Sequence, residues 1–130
     1  MTLTAINPES LARPRGYSHG MRGRGDVLFV AGQIGWNGEG QMVSADLVDQ
    51  FARALDNVLD VVWAAGGSPD SVARLTLYVT DKGEYRLRAR AIGEAYRKRL
   101  GKHFPAMTLV EVKSLLEDDA KVEIEATALL

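Results

Sequence analysis

The chain has 130 residues, room for one domain, and its 46% hydrophobic share supports a core, which excludes global disorder. Its 16 basic and 17 acidic residues leave a net charge of −1, which argues against a dedicated nucleic-acid or membrane-surface binder. The absence of cysteine removes disulfides, thiolate metal sites and a cysteine nucleophile, and two histidines, His19 and His103, would need carboxylates to complete a zinc site.

Met1 to Ser10 shows no basic region followed by an apolar core, so no signal peptide is expected. No run approaches the roughly 18 apolar residues that a membrane-spanning helix needs. The expectation is a cytoplasmic protein without internal repeats or long linkers.

The first half reads as β-rich. Asp26 to Ala31 is a short apolar run between Gly25 and Gly32. Val27, Phe29 and Ala31 fall on one face and Leu28 and Val30 on the other, the pattern of a strand buried on both sides. Asn37-Gly38 within Trp36–Gly40 is a strong turn signal and predicts a hairpin. A helix follows from about Asp46 to Ala65, with Leu47, Phe51, Leu55, Val58 and Val62 at three- and four-residue steps. Asp46 and Asp49 suit its positive end, and Gly66-Gly67 stops it.

Arg74 to Thr80 alternates, with Leu75, Leu77 and Val79 facing one way. Asp81 followed by Glu84 resembles a capping box for a second helix reaching Leu100, with Arg88, Ile92, Ala95, Tyr96 and Leu100 along one stripe. Ala106 to Val112 and Lys121 to Leu129 read as closing strands. The order predicts an α+β fold, a mixed sheet with two helices packed on one face. Two helices cover only one face, yet Asp26–Ala31 is apolar on both. The uncovered face predicts a homo-oligomer.

Three segments bear on chemistry. Glu123 and Glu125 share one face of the last strand, where acids are unwelcome. Such a pair is more often an exposed or salt-bridged face than a general base or water-positioning carboxylate. Arg13-Pro14-Arg15-Gly16-Tyr17-Ser18-His19-Gly20 mixes base, aromatic and imidazole and could bind a small carboxylate, although the pattern alone favours a surface loop plus an edge strand. Ala31-Gly32-Gln33 ends the buried strand with a glycine that permits close approach of a ligand or another chain, or marks a bulge. No phosphate loop and no Gly-x-Ser-x-Gly elbow occurs. The arginines and lysine between Arg86 and Arg99 make a basic helix read as a solvated or interface face.

Together several segments resemble the RidA/YjgF/YER057c/UK114 superfamily across nearly the whole chain, as a single RidA-like domain over 1–130. Tyr17-Ser18-His19-Gly20 is similar to its first strand, and Asp26 to Ile34 to its next. Asp56-Asn57-Val58-Leu59, Ala65 to Ser68 and Leu75 to Asp81 fit its first helix, the turn after it and the following strand. Phe104-Pro105-Ala106, Val110-Glu111-Val112 and Val122 to Ala126 fit its C-terminal signature. The resemblance implies a chorismate-mutase-like fold, a homotrimer with the sheets packed centrally, and a small-molecule ligand in each inter-subunit cleft. The sequence itself leads to the expectation of no metal, no organic cofactor, no nucleic acid and no membrane.

The best-known members of the family hydrolyse reactive 2-imino or enamine acids to 2-keto acids and ammonia. By motif position, Glu123 carries over as the catalytic glutamate that positions water. Tyr17 and Ser18 carry over as substrate-binding residues, with Gly32 and Gln33 as pocket wall. An arginine that grips the substrate carboxylate follows Pro-Ala in those members. Here Met107 stands in its place, followed by Thr108, and a thioether cannot make a bidentate contact to a carboxylate. The family's frequent serine before Gly-Gln is Ala31, and no asparagine occurs between Asp81 and Leu100. Arg13, Arg15, Arg22 and Arg24 are candidate replacements for the missing arginine.

Two readings follow. One is a divergent hydrolase that deaminates an imine, enamine or related small metabolite, with backbone amides near Gly32 and Met107 polarising the reacting group and Met107 selecting a larger or less acidic substrate. The other is a non-catalytic metabolite-binding or regulatory trimer. A ribonuclease, an activity attached to some members, fits poorly with the net charge and the lack of a histidine pair.

Overall fold

Residues 3–130 are described by a computed structural model; Met1 and Thr2, the start of the segment read for a leader, lie outside them. Strands β1 (Thr4–Ile6) and β2 (Gly20–Arg22) form a short antiparallel ribbon, with Thr4 opposite Arg22. The resemblance placed the first strand at Tyr17–Gly20. In the structure Tyr17 and His19 are bends, Ser18 makes an isolated parallel bridge to Ala106, and only Gly20 enters a strand. Ser18 is the cause: its amide donates to Pro105 O (3.1 Å) and its hydroxyl to Phe104 O (2.6 Å), which pins the segment to the chain entering β5.

The main sheet has the order β3-β6-β4-β5, from β3 (Val27–Gln33), β4 (Val72–Val79), β5 (Ala106–Glu111) and β6 (Val122–Leu129). Central β6 runs antiparallel to both neighbours, while β4 and β5 are parallel. The β3–β6 register is irregular between Val30 and Gln33, around Gly32. The expected turn at Asn37-Gly38 forms around a single Trp36–Met42 bridge, where the Asn37 carboxamide oxygen accepts from the amides of Glu39 and Gln41.

Helix α1 (Leu47–Ala64) matches its periodicity, and Asp46 caps it by accepting from the Asp49 amide (3.1 Å). Leu47, Phe51, Ala54, Leu55, Val58 and Val62 are buried against the sheet. Gln50 is fully buried in the same stripe. It donates to Ser44 O and Asp119 O and accepts from the Lys121 amide, so every polar atom has a partner. A one-turn 3-10 segment, Pro69–Ser71, leads into β4.

The second helix is broken. Helix α2 (Lys82–Leu87), capped by Asp81, ends at Arg88, whose φ of −101° and ψ of 13° leave the helical region, and α3 (Ala89–Leu100) starts afresh. Ile92, Ala95, Tyr96 and Leu100 pack inward as the stripe predicts. Arg88 sits at the junction, and its guanidinium reaches Asp46 at 2.7 Å.

Strand alternation divides the sheet into two unlike faces. Val72, Leu75, Leu77, Val79, Val122, Ile124, Ala126 and Ala128 face the helices and are buried. The other face carries Phe29, Arg74, Thr76, Tyr78, Thr108, Val110, Glu123 and Glu125, and among the described residues no helix covers it. Phe29 is 79% exposed and Val27 52%. The strand read as buried on both sides is therefore buried on one side in a single chain.

Candidate functional site

A cavity of about 370 Å³ lies between the helices and the β4–β5 edge of the sheet. Its floor is Phe51, Leu55, Leu75, Leu77, Ile92 and Ile124, all buried. β5 contributes Met107 and Leu109: their register partners, Leu75 and Leu77, face the helices, so these two side chains point the same way. Tyr17 closes one wall. Its ring meets His19 edge-on at 5.4 Å, and His19 is held by Ala12 O at 2.6 Å. His19 therefore braces the tyrosine and does not line the cavity.

The polar atoms at the walls are few. Tyr96 donates to His103 O (2.6 Å), and burial pushes its phenol far above the usual range. Burial likewise raises Tyr85, so both phenols stay protonated and serve as donors or apolar surface, not as bases. The exposed residues Arg15, Gly16, Ala89 and Arg97 form the mouth, and no carboxylate lines the cavity. Of the four arginines considered as replacements for the missing one, Arg15 lines this cavity and Arg13, Arg22 and Arg24 do not.

Glu123 lies elsewhere. Its register partner is Tyr78, on the open face, so the sheet separates it from Tyr17 and Met107. Its carboxylate rests against Gly32: a Cβ there would stand 2.6 Å from Oε1 and 2.8 Å from Cδ. The close approach foreseen at Gly32 is made by this chain's own glutamate. Among the described residues Glu123 forms no hydrogen bond or ion pair. Glu125 by contrast accepts from the Tyr78 hydroxyl (2.7 Å), and this bond raises the tyrosine above its ordinary value. Of the two strand glutamates, one is occupied and the other is free to act.

The remaining sequence-derived positions divide between the two faces. Ser18 is buried and its hydroxyl is committed to Phe104 O. Thr108 lies on the open face, opposite in direction to Met107. Gln33 turns its amide back to Ala31 O at 3.3 Å. Arg97, absent from the sequence-derived set, stands at the cavity mouth; the available signal was Gly93, a glycine inside a helix. Among the described residues no group of three or more His, Asp or Glu side chains is placed to hold a metal. No helix is long and apolar enough to cross a membrane.

The sheet, its one-sided helices and the edge cavity define a small α+β fold with a pocket lined mainly by apolar side chains. The chain matches the family described as Endoribonuclease L-PSP over residues 8–130. It is 35% identical over 125 residues to a RutC family protein of Pyrococcus horikoshii, covering 95% of this chain and 94% of that protein. It is 36% identical over 104 residues to the 2-iminobutanoate/2-iminopropanoate deaminase of Escherichia coli K12, covering 80% of each. A crystal structure from Yersinia pestis, a protein of unknown function of the conserved Rid family, superposes with a TM-score of 0.84 at 31% identity over the whole of both chains. The chain belongs to this Endoribonuclease L-PSP family, the RidA/YjgF superfamily, whose relatives include imine deaminases.

Proposed function

We propose that this protein hydrolyses an imine or enamine derived from a small amino-acid-like metabolite, in a cleft assembled between copies of a homotrimer. The observation that carries the reading is the unpaired Glu123 carboxylate, seated where Gly32 leaves space for it. A carboxylate free of internal partners can orient a water molecule for attack on an imine carbon. The tetrahedral carbinolamine would then expel ammonia and leave the ketone. Tyr17 and Met107 would form the wall that receives the rest of the substrate. Because they face away from Glu123 in one chain, the complete site requires Glu123 from a neighbouring copy. The exposed apolar pair Val27 and Phe29 on the β3 edge, with Val110 exposed on the opposite β5 edge of the same face, supports that association.

The test is keto-acid release from imines generated in situ by an amino-acid oxidase. Wild type is expected to accelerate release, and Glu123→Gln to reduce it by about a hundredfold, the scale of a lost acid–base contribution. Equal rates for the two proteins would end the reading. Met107→Arg is expected to improve the short imines of alanine and 2-aminobutyrate by supplying a bidentate contact to their carboxylate.

A second reading, a non-catalytic metabolite-binding trimer, is favoured by the apolar cavity floor and by Met107. Ligand binding without turnover in the same assay would select it.

A further inference from the structure

We infer that Arg15 and Arg97 together replace the missing arginine, so that the cavity takes an organic anion with a bulky apolar body, held by its charged end at the mouth. This rests on the reading that the cavity is the substrate-facing wall of the proposed cleft, and it names the substrate class.

Three observations carry it. First, Arg15 and Arg97 both line the mouth, and among the described residues neither forms an ion pair with a carboxylate. The other arginines of the second-helix region that face acids are engaged: Arg88 with Asp46, Arg90 with Glu94 and Arg99 with Asp56. Two unpaired guanidiniums above a cavity without a lining carboxylate make a field that favours an anion.

Second, Gly93 breaks a local rule. A glycine inside a helix is unfavourable relative to alanine. Here it lines the cavity, and a Cβ on it would stand 3.2 Å from a terminal nitrogen of Arg97. The missing side chain lets the guanidinium lie across the mouth. Third, the floor is made of aliphatic and aromatic carbon, with Met107 and Leu109 on the β5 side. An anchoring group at Met107 would hold a short acid deep in the cavity. Moving the anchor to the rim lengthens the distance between charge and floor, and an apolar body fills it. The ligand is therefore a carboxylate or similar anion with an aryl or branched alkyl body, and short acids such as propionate are poor ligands.

Calorimetric titration of the whole protein with 3-phenylpropionate, 3-phenylpropanol and propionate tests this. The expected result is that 3-phenylpropionate binds at least about tenfold more tightly than either other probe, since a charge-assisted contact adds to apolar burial. Arg15→Gln and Arg97→Gln should each weaken it severalfold, and the double variant should bind acid and alcohol alike. Gly93→Leu, which fills the mouth, should abolish binding of both phenyl probes while leaving the fold intact. Equal binding of acid and alcohol by wild type, an acid preference surviving in the double variant, or unaltered binding by Gly93→Leu would each overturn the proposal. Its failure is distinguishable from failure of the deaminase reading. Arginine-dependent binding with no imine turnover leaves this inference standing and removes the other. Glu123-dependent turnover of the phenylalanine imine, unchanged in the double arginine variant, does the reverse.

Discussion

Glu123 keeps its place because of an atom that Gly32 lacks. A Cβ at Gly32 would meet Oε1 at 2.6 Å, Cδ at 2.8 Å and Cγ at 3.0 Å, so the glutamate side chain would have to rotate away. What would move is a flexible side chain and not backbone, so the cost falls on function more than on folding. Gly32→Ala is expected to lower imine turnover at least tenfold while shifting the thermal midpoint by only a degree or two. A large loss of midpoint, or full turnover, would contradict this account of the glycine. From sequence, Gly32 was legible as a position of close approach, but the approaching group was not, because register between β3 and β6 decides it. Likewise Glu123 and Glu125 are indistinguishable on alternation alone; only the cross-strand position of Tyr78 separates the occupied carboxylate from the free one.

Asp46 shows how one residue joins two elements. It caps α1 and also pairs with Arg88 at the junction of α2 and α3. The Arg88 guanidinium and the Asp49 amide hold its carboxyl below the usual range. A carboxyl depressed in the folded state contributes stability in full above its unfolded value of about 3.9, and loses it as pH falls through the lower folded value. Asp46→Asn retains a capping oxygen but removes the charge. Its thermal midpoint should lie below wild type at pH 7, and the gap should close as pH falls below about 4; a gap independent of pH would refute the linkage. The break at Arg88 was not legible. Between Glu84 and Ile92 there is neither glycine nor proline, and the periodicity runs on unbroken. The tertiary pairing with Asp46 coincides with the departure from helical geometry, and such a contact leaves no local pattern. The extent of α1 was legible to within a residue at each end, because a cap, a stripe and a Gly-Gly stop agree. Gln50, a polar side chain in the buried stripe of α1, carries in its position the signal of a bonded core residue.

At the scale of the molecule, the open sheet face is the surface on which the proposed assembly depends. Phe29 is 79% exposed, beside Val27 at 52%, and Val110 at 40% stands on the same side. Sedimentation of wild type is expected to give three copies of the 14.2 kDa chain, and Phe29→Asp to give one, since burying that carboxylate in an apolar contact is costly. A wild type that sediments as a single chain at micromolar concentration would remove the proposed cleft with it. The expectation of an oligomer was legible from an apolar strand with helices enough for one side only. The cavity between the helices and β5 was not legible, since its walls come from six separate stretches of chain.

The separation of Tyr17 and Met107 from Glu123 across the sheet has a genetic consequence. If each working site takes its wall from one subunit and its carboxylate from the next, a subunit defective in the wall and a subunit defective in the carboxylate are not equivalent lesions. Unfolded and reassembled together, two inactive proteins would yield some trimers in which an intact wall faces an intact carboxylate. Two alleles, each silent when alone, would then complement one another in the same cell.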